Sequence, residues 1–419
     1  MHKLVGLNLH RITIPSFFFI FYLIIIFFPA FYYFFQKSDP FRYTFLFSVE
    51  SVLITIPMGV LFANIVLFFK KREIKHYFEA SVQGRQGINN RRFFIFIIMF
   101  FVAIGLTLLY VIEVRTIPLF YMFKHPGETI ILAQLRDLSL KVLDSPFRFL
   151  YHLLRDFLYP FLIIFALGCY LSNWRRRWRR RWLFSFLIIL LTGLLYSSFT
   201  LARMPPAVIF FLIFFFLYFF YGGKIKKKIT LFLLFLFLAF PIFVLVFSQA
   251  GTNVYLVLKT TFARIFLAPA NILYYYYEVV PEEIDFLYGA TTGKLAYLFG
   301  REYFNIGNFV SRYINPLSEI ETGSANVAFI GELYANFGIF GVLFGGTVIG
   351  FIMQIINIYI LRMRKTIFNI SVFTFITYEF GLLNILPLTS ILIFSGVPIL
   401  LFLVLLQSKT VREITTKKF

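Results

Sequence analysis

Long apolar runs alternate along this chain with short polar gaps, and every second gap is basic. The apolar runs fall at roughly 15–35, 43–69, 93–112, 157–173, 183–201, 205–222, 229–248, 338–361, 367–385 and 388–407, most of them close to the ~20 residues that a helix needs to cross hydrocarbon. Lys3, Arg11 and basic runs at 70–92, 175–181, 224–228, 362–365 and 409–418 occupy the alternate gaps. Lys and Arg beside membrane helices stay on the cytoplasmic side, so both termini are expected inside. The pattern predicts an all-α polytopic membrane protein of about ten transmembrane helices with two long outward-facing loops, 113–156 and 249–325. All 419 residues form one integral membrane domain on this reading. The first run is longer than a cleavable signal core and lacks a small-residue cleavage site, so it is expected to remain as the first helix.

Composition agrees with the pattern. A chain with 60% hydrophobic residues, 62 Phe and a mean hydropathy of +0.83 has too little polar surface to cover a soluble fold. The net charge of +21 would suit a nucleic-acid binder, but the cytoplasmic gaps hold most of the 40 Lys and Arg. The charge therefore reads as a topology signal and a hold on anionic lipid headgroups, each base near such a surface contributing about 1 kcal/mol. No nucleic-acid partner is expected. The single cysteine, Cys169, lies in an apolar run, which excludes an intrachain disulfide and a cysteine metal site. Trp174, Trp178 and Trp182 repeat at i, i+4, i+8 and are expected on one helical face as interfacial anchors.

The two long outward gaps carry the candidate chemistry. The first holds Pro118, Pro126, Gly127 and Pro146 around a helical stretch at 128–143. The second opens with a partly embedded helix at 252–280, ended by Pro281, with Tyr274 to Tyr277 at the water boundary. Beyond it the chain is dense in Gly, Asn, Tyr and charge, which suits an ordered loop that binds sugars and phosphates, and its length argues for function. A helix is expected to follow from Gly323-Ser-Ala-Asn, with Ser324 as N-cap and free amides that favour an anion. Glu332 and Asn336 are one turn apart and face one cavity. Gly341, Gly345, Gly346 and Gly350 have the spacing of close helix packing in lipid.

Arg203, Arg264, Arg301 and Arg312 lie on the outward side, and a guanidinium fork matches phosphate oxygens while keeping its charge. Glu50 and Glu379 lie inside spans, where a carboxylate is a functional candidate by default, with Arg42 a possible partner for Glu50. His10 and His76 are cytoplasmic, whereas His125 and His152 are outside and far apart. No pair has metal-ligand spacing, and no nucleotide-cradling glycine loop is present, so neither a catalytic metal nor a cofactor is expected.

The segment Thr322-Gly-Ser-Ala-Asn-Val-Ala-Phe-Ile-Gly-Glu-Leu-Tyr-Ala-Asn-Phe-Gly338 closes the long loop and leads into a glycine-rich span. With Leu287-Tyr-Gly289, Asn315-Pro316 and the hydropathy profile, it resembles the bacterial O-antigen and oligosaccharide repeat-unit polymerases of the Wzy type. Some members carry an arginine separated by ten residues from a glycine, and Arg312 with Gly323 matches; Arg203 and Arg264 lack the glycine. The resemblance implies a metal-independent, inverting glycosyl transfer at the outer side of the bacterial inner membrane. A glycan on undecaprenyl pyrophosphate would be the donor, one lipid-linked repeat unit the acceptor, and a chain-length regulator a possible partner. Arg203, Arg264 and Arg312, with Arg301 in reserve, would take the departing pyrophosphate. Glu332 would be the base and His152 the second candidate. Asn326, Asn336 and Tyr313 would contact sugar. The alternatives are an O-antigen ligase acting on lipid A core and, from another class, a flippase. A flippase would require inverted repeats, and none is visible.

Overall fold

The computed structural model describes residues 11–82, 90–125, 127–141, 147–173, 176–202, 204–248, 254–316, 324–391 and 396–402. No strand occurs among them, as expected where lipid offers backbone groups no partner and each helix must satisfy its own. In chain order the helices are α1 (Ile14–Gln36), α2 (Phe41–Val66), α3 (Lys71–Glu79), α4 (Asn90–Val114), α5 (Pro118–Lys124), α6 (Thr129–Lys141), α7 (Arg148–Ser172) and α8 (Arg176–Ser198). They continue with α9 (Met204–Phe220), α10 (Lys227–Ser248), α11 (Val254–Phe262), α12 (Ala268–Val279), α13 (Ile306–Ile314), α14 (Phe329–Arg362) and α15 (Ile367–Leu382). Six are long and apolar enough to cross a membrane: α1, α2, α4 from Phe93, α7, α8 from Arg177, and α14. The chain is an all-helical transmembrane protein. The first nine apolar runs all coincide with helices, of which α9 and α15 are short, while of the tenth, 388–407, only 388–391 and 396–402 lie within the described residues.

Three π turns interrupt these helices, at Leu23–Phe27, Leu154–Leu158 and Ala263–Leu267. Each is followed two residues later by a proline: Pro29, Pro160 and Pro269. A proline cannot donate to the carbonyl four residues back and its ring collides with it. In all three cases that carbonyl, of Ile25, Asp156 or Ile265, lies inside the π turn, where the wider winding relieves the collision. The turns need no functional explanation.

The chain divides into two compact units. The first comprises Met1–His76, Lys259–Arg362 and Ile376–Phe394, and the second Tyr77–Leu258, Met363–Phe375 and Ser395–Phe419. In the first, α2 and α14 form the most extensive helix pair. Gly59 lies against the α14 backbone at Thr347, and Gly346 and Gly350 lie against Thr55 and the Ile56 carbonyl, so a Cβ on any of them would overlap. Close packing therefore accounts for two of the four α14 glycines. Gly341 and Gly345 instead face Leu333 of their own helix, because α14 breaks at Phe337 (φ −137°, ψ 15°) and Gly338 (φ 61°, ψ −152°). Deeper in the same pair, Gln354 Nε2 donates to Asn64 Oδ1 at 2.6 Å and Asn357 Nδ2 to Gln354 Oε1 at 3.1 Å. The alternative of an ion pair between Glu50 and Arg42 is not taken; Arg42 donates to the Lys37 carbonyl and the Tyr43 hydroxyl.

In the second unit the core is aromatic. Trp182 is fully buried among Phe93, Phe96 and Phe165, so it is a core residue rather than an interfacial anchor. Trp178 contacts Phe93 and the Arg181 guanidinium, and Trp174 lies outside the described residues. Phe373 stacks on Phe219 at 4.3 Å and meets Tyr77 edge-on. Lys365 is buried there, its ammonium donating to the Phe78 and Ala80 carbonyls at 3.3 and 3.1 Å. Burial pulls its pKa down to about 8.

Two further expectations are corrected. The Tyr274 to Tyr277 run is not presented to solvent as expected: Tyr274, Tyr276 and Tyr277 are buried in the protein, with Tyr277 stacked on Tyr334 at 3.9 Å. Ser324 caps no helix, because residues 324–328 are irregular and α14 begins at Phe329, whose amide donates to the Leu383 carbonyl at 2.9 Å.

Gly59→Val and Gly350→Val are expected to cost at least about 1–3 kcal/mol through backbone overlap and to lower the thermal unfolding midpoint in detergent. Gly105→Ala, whose Cβ would meet nothing within 4 Å, is the control and should leave the midpoint unchanged or raised. Gly338→Ala should cost about 1–3 kcal/mol, since its backbone angles are open to glycine alone; the same melting experiment checks it.

Candidate functional site

The site is organised around the break in α14. A continuous helix would have paired the Ala335 and Asn336 carbonyls with amides four residues on, and the turn at Phe337–Gly338 withdraws those donors. The returning chain after Pro281 supplies replacements: Leu287 N donates to Ala335 O at 2.9 Å and Tyr288 N to Asn336 O at 3.0 Å. Gly289 N adds a bond to Asn336 Oδ1 at 2.7 Å. The Asn336 Nδ2 group donates in turn to Thr291 Oγ1 and to Glu332 O, both at 2.7 Å. Loop and helix are thereby locked together.

On one side of this lock lies a cleft of ≈ 550 Å³, within the ~300–1,000 Å³ of small-molecule sites. Tyr276, Tyr297 and Tyr303 supply aromatic wall, Asn305, Asn326, Thr291, Thr389 and Ser390 supply hydrogen-bonding groups, and Glu332 is the one carboxylate among the lining residues. Glu332 is only 5% exposed. Its Oε1 accepts from Thr389 Oγ1 at 2.8 Å and from Thr291 Oγ1 at 3.3 Å, while Oε2 accepts from the Thr389 amide at 3.2 Å. No cation shares these contacts. Neutral hydroxyls and one backbone amide carry the carboxylate instead, which fixes its direction without neutralising it. Tyr303 feels the charge: burial and the nearby Glu332 carboxylate both raise its hydroxyl pKa. Tyr276 lines the cleft with its hydroxyl donating to Ala325 O at 3.1 Å.

The sequence candidates divide clearly. Glu332 and Asn326 line the cleft. Asn336 does not; its amide is used up in holding Gly289, Thr291 and the Glu332 carbonyl, so it positions the site rather than meeting a ligand. Tyr313 lies off the cleft, donating to Glu278 Oε1 at 2.9 Å, and that bond pushes its pKa up to about 12. His152 belongs to the second unit, its Nδ1 3.4 Å from Arg155 and 4.0 Å from Asp156, and is not a lining residue. Arg264, Arg301 and Arg312 are exposed and none lines the cleft, so the convergence of guanidinium groups on one cavity is not found among the described residues. Arg203 lies outside them. Arg301 stands in the stretch between Tyr297 and Tyr303, and Arg312 on the helix whose first residues, Ile306 and Gly307, line the cleft.

Sequence reasoning missed Thr291, Tyr276, Tyr303 and above all Thr389, which was counted into a lipid span. A signal was present in Leu386-Pro-Leu-Thr-Ser390: a proline followed by two hydroxyl residues inside an apolar run. The chain does turn there, between the end of α15 at Leu382 and Leu388. Chemically, the cleft offers a fixed carboxylate beside tyrosine faces and amides, a set suited to a neutral polyhydroxylated ligand. No family model matches the chain, and no curated protein and no solved structure matches it.

Proposed function

We propose that the protein is a polymerase of lipid-linked oligosaccharide repeat units, with about ten spans, both ends in the cytoplasm and the cleft on the outer face of a bacterial inner membrane. The observation that carries this reading is the buried Glu332 carboxylate, held by the neutral donors of Thr389 and Thr291, in a tyrosine- and amide-lined cleft within a helical membrane protein. The acceptor sugar occupies the cleft. Its hydroxyl hands a proton to Glu332 as its oxygen attacks the anomeric carbon of the donor glycan. The bond from that carbon to the pyrophosphate oxygen breaks, and undecaprenyl pyrophosphate departs with the electron pair. The tyrosine faces cover apolar sugar faces, and Asn326 and Asn305 meet sugar hydroxyls. The guanidinium groups of Arg203, Arg264, Arg301 and Arg312 are assigned to the pyrophosphate, which leaves the cleft itself to neutral sugar.

Glu332 also has a plain structural use, as the acceptor for the Thr389 amide just after Pro387. The two roles separate by substitution. Glu332→Gln keeps an acceptor oxygen and the shape, so the protein should remain in the membrane with an unchanged melting midpoint. Turnover should fall about 10²–10⁴-fold, the usual contribution of a positioned base. Surface polysaccharide from cells carrying it should collapse to single repeats on a gel, and long ladders would remove the assignment of the base. Arg264→Ala and Arg312→Ala are expected to shorten the polymer in the same way with normal protein levels; normal ladders from both would withdraw their pyrophosphate role. In a strain lacking the gene, single-repeat products support a polymerase. Unmodified core with accumulated lipid-linked polymer would instead indicate a ligase, and lipid-linked units trapped inside a flippase.

A further inference from the structure

Beside the cleft, the 3₁₀ turn Gly293–Phe299 turns large apolar side chains outward. Tyr297 is 72% exposed, Leu298 80% and Phe299 52%, with Leu295 and Tyr288 also exposed, while Ala296 between them is fully buried. A surface meant for water rarely groups so many large apolar residues in one short element.

The level of this turn relative to the membrane can be read from α14. Beyond its break, the helix from Ile339 to Arg362 is about 36 Å long at about 1.5 Å per residue, enough for the ~30 Å hydrocarbon core and a little of one interface. Phe340 and Phe344, four residues apart, are 79% and 76% exposed and form with Val348 a stripe suited to lipid. Arg362, paired with Glu73 at 2.7 Å, marks one polar boundary of that span. Gly338 then marks the other. Leu287, Tyr288 and Gly289 are hydrogen-bonded to Ala335 and Asn336, immediately before Gly338, so the following chain leaves from the same boundary. The Phe299 ring lies against Gly289, which returns the end of the turn to that level. Arg301 sits 5.5 Å over the Tyr288 ring, giving the apolar tip a collar of tyrosine and guanidinium of the kind found where hydrocarbon meets headgroups.

We propose that the Gly293–Phe299 turn is an interfacial anchor, with Leu298 and Phe299 immersed in the lipid that also covers Phe340 and Phe344. Gly293 and Tyr297 of the same turn line the cleft, so the anchor holds one wall of the cleft at the bilayer surface. A ligand tethered to a lipid tail reaches such a cleft without leaving its leaflet. The anchoring stands on the apolar surface and its level alone and does not require the glycosyl-transfer reading.

The test is nitroxide labelling of Leu298→Cys in the full chain, with Cys169→Ser, reconstituted in phosphatidylethanolamine and phosphatidylglycerol vesicles. Phe344→Cys serves as the lipid reference and Lys226→Cys as the aqueous one. Collision with oxygen and with a water-soluble nickel chelate is measured by power saturation. Label at Leu298 is expected to favour oxygen several-fold, as at Phe344. A preference for the nickel chelate, as at Lys226, would overturn the proposal. So would low accessibility to both with an immobilised spectrum, the sign of a protein cover such as a second copy. The Phe344 variant, reconstituted in parallel, shows that the labelled chain folds and inserts under these conditions, and no outcome depends on enzymatic activity.

Discussion

A single backbone event, the interruption of α14 at Phe337 and Gly338, makes the rest of the site possible. An unbroken helix would leave the Ala335 and Asn336 carbonyls nothing to offer the loop, and the loop would have no anchor. Once their intrahelical donors are withdrawn, two orphan acceptors on buried residues remain, and leaving them unpaired is costly. The amides of Leu287 and Tyr288 satisfy them, and the Asn336 side chain extends the lock to Gly289 and Thr291. Thr291 in turn reaches Glu332, one turn back on the same helix. Helix, loop and carboxylate are thus consequences of one another.

On the proposed reading, Glu332 serves the fold and the chemistry together. Its carboxylate accepts from three donors, two of them on Thr389, and so joins α14 to the chain that follows Pro387. Satisfying a buried carboxylate with hydroxyls and an amide, without a guanidinium, leaves its charge available to a ligand. The exposed arginines contribute nothing inside the cleft. On the proposed reading this division is useful, because an acceptor hydroxyl needs a base and the pyrophosphate needs cations, and the two would neutralise each other in one small cavity.

The anchor and the cleft share one turn, and that places a constraint on each. Ala296 at 0% exposure ties the middle of the turn into the protein, leaving alternate faces for the two environments. The α2–α14 contact gives the arrangement a rigid base, because glycines at Gly59, Gly346 and Gly350 bring two backbones close enough for ordinary dispersion forces to hold them where lipid supplies no hydrophobic drive.

Sequence alone determined the elements that depend on composition along one dimension. Apolar runs of crossing length became helices because lipid leaves the backbone no alternative, and Pro29, Pro160 and Pro269 each follow a π turn that relieves a collision local in the chain, although Pro57 sits within α2 without one. Glu332 could be singled out because a carboxylate at the mouth of an apolar run is rare and expensive. What only the tertiary structure decided were pairings between distant segments: Thr389 and Thr291 on the carboxylate, the engagement of Asn336, the burial of Trp182 and three tyrosines, and the absence of the described arginines from the cleft. Amphipathic residues such as Trp, Tyr and Arg suit a water boundary and a packed interior almost equally, so their side of the protein depends on which neighbours close over them. That is a property of three dimensions, and no spacing along the chain encodes it.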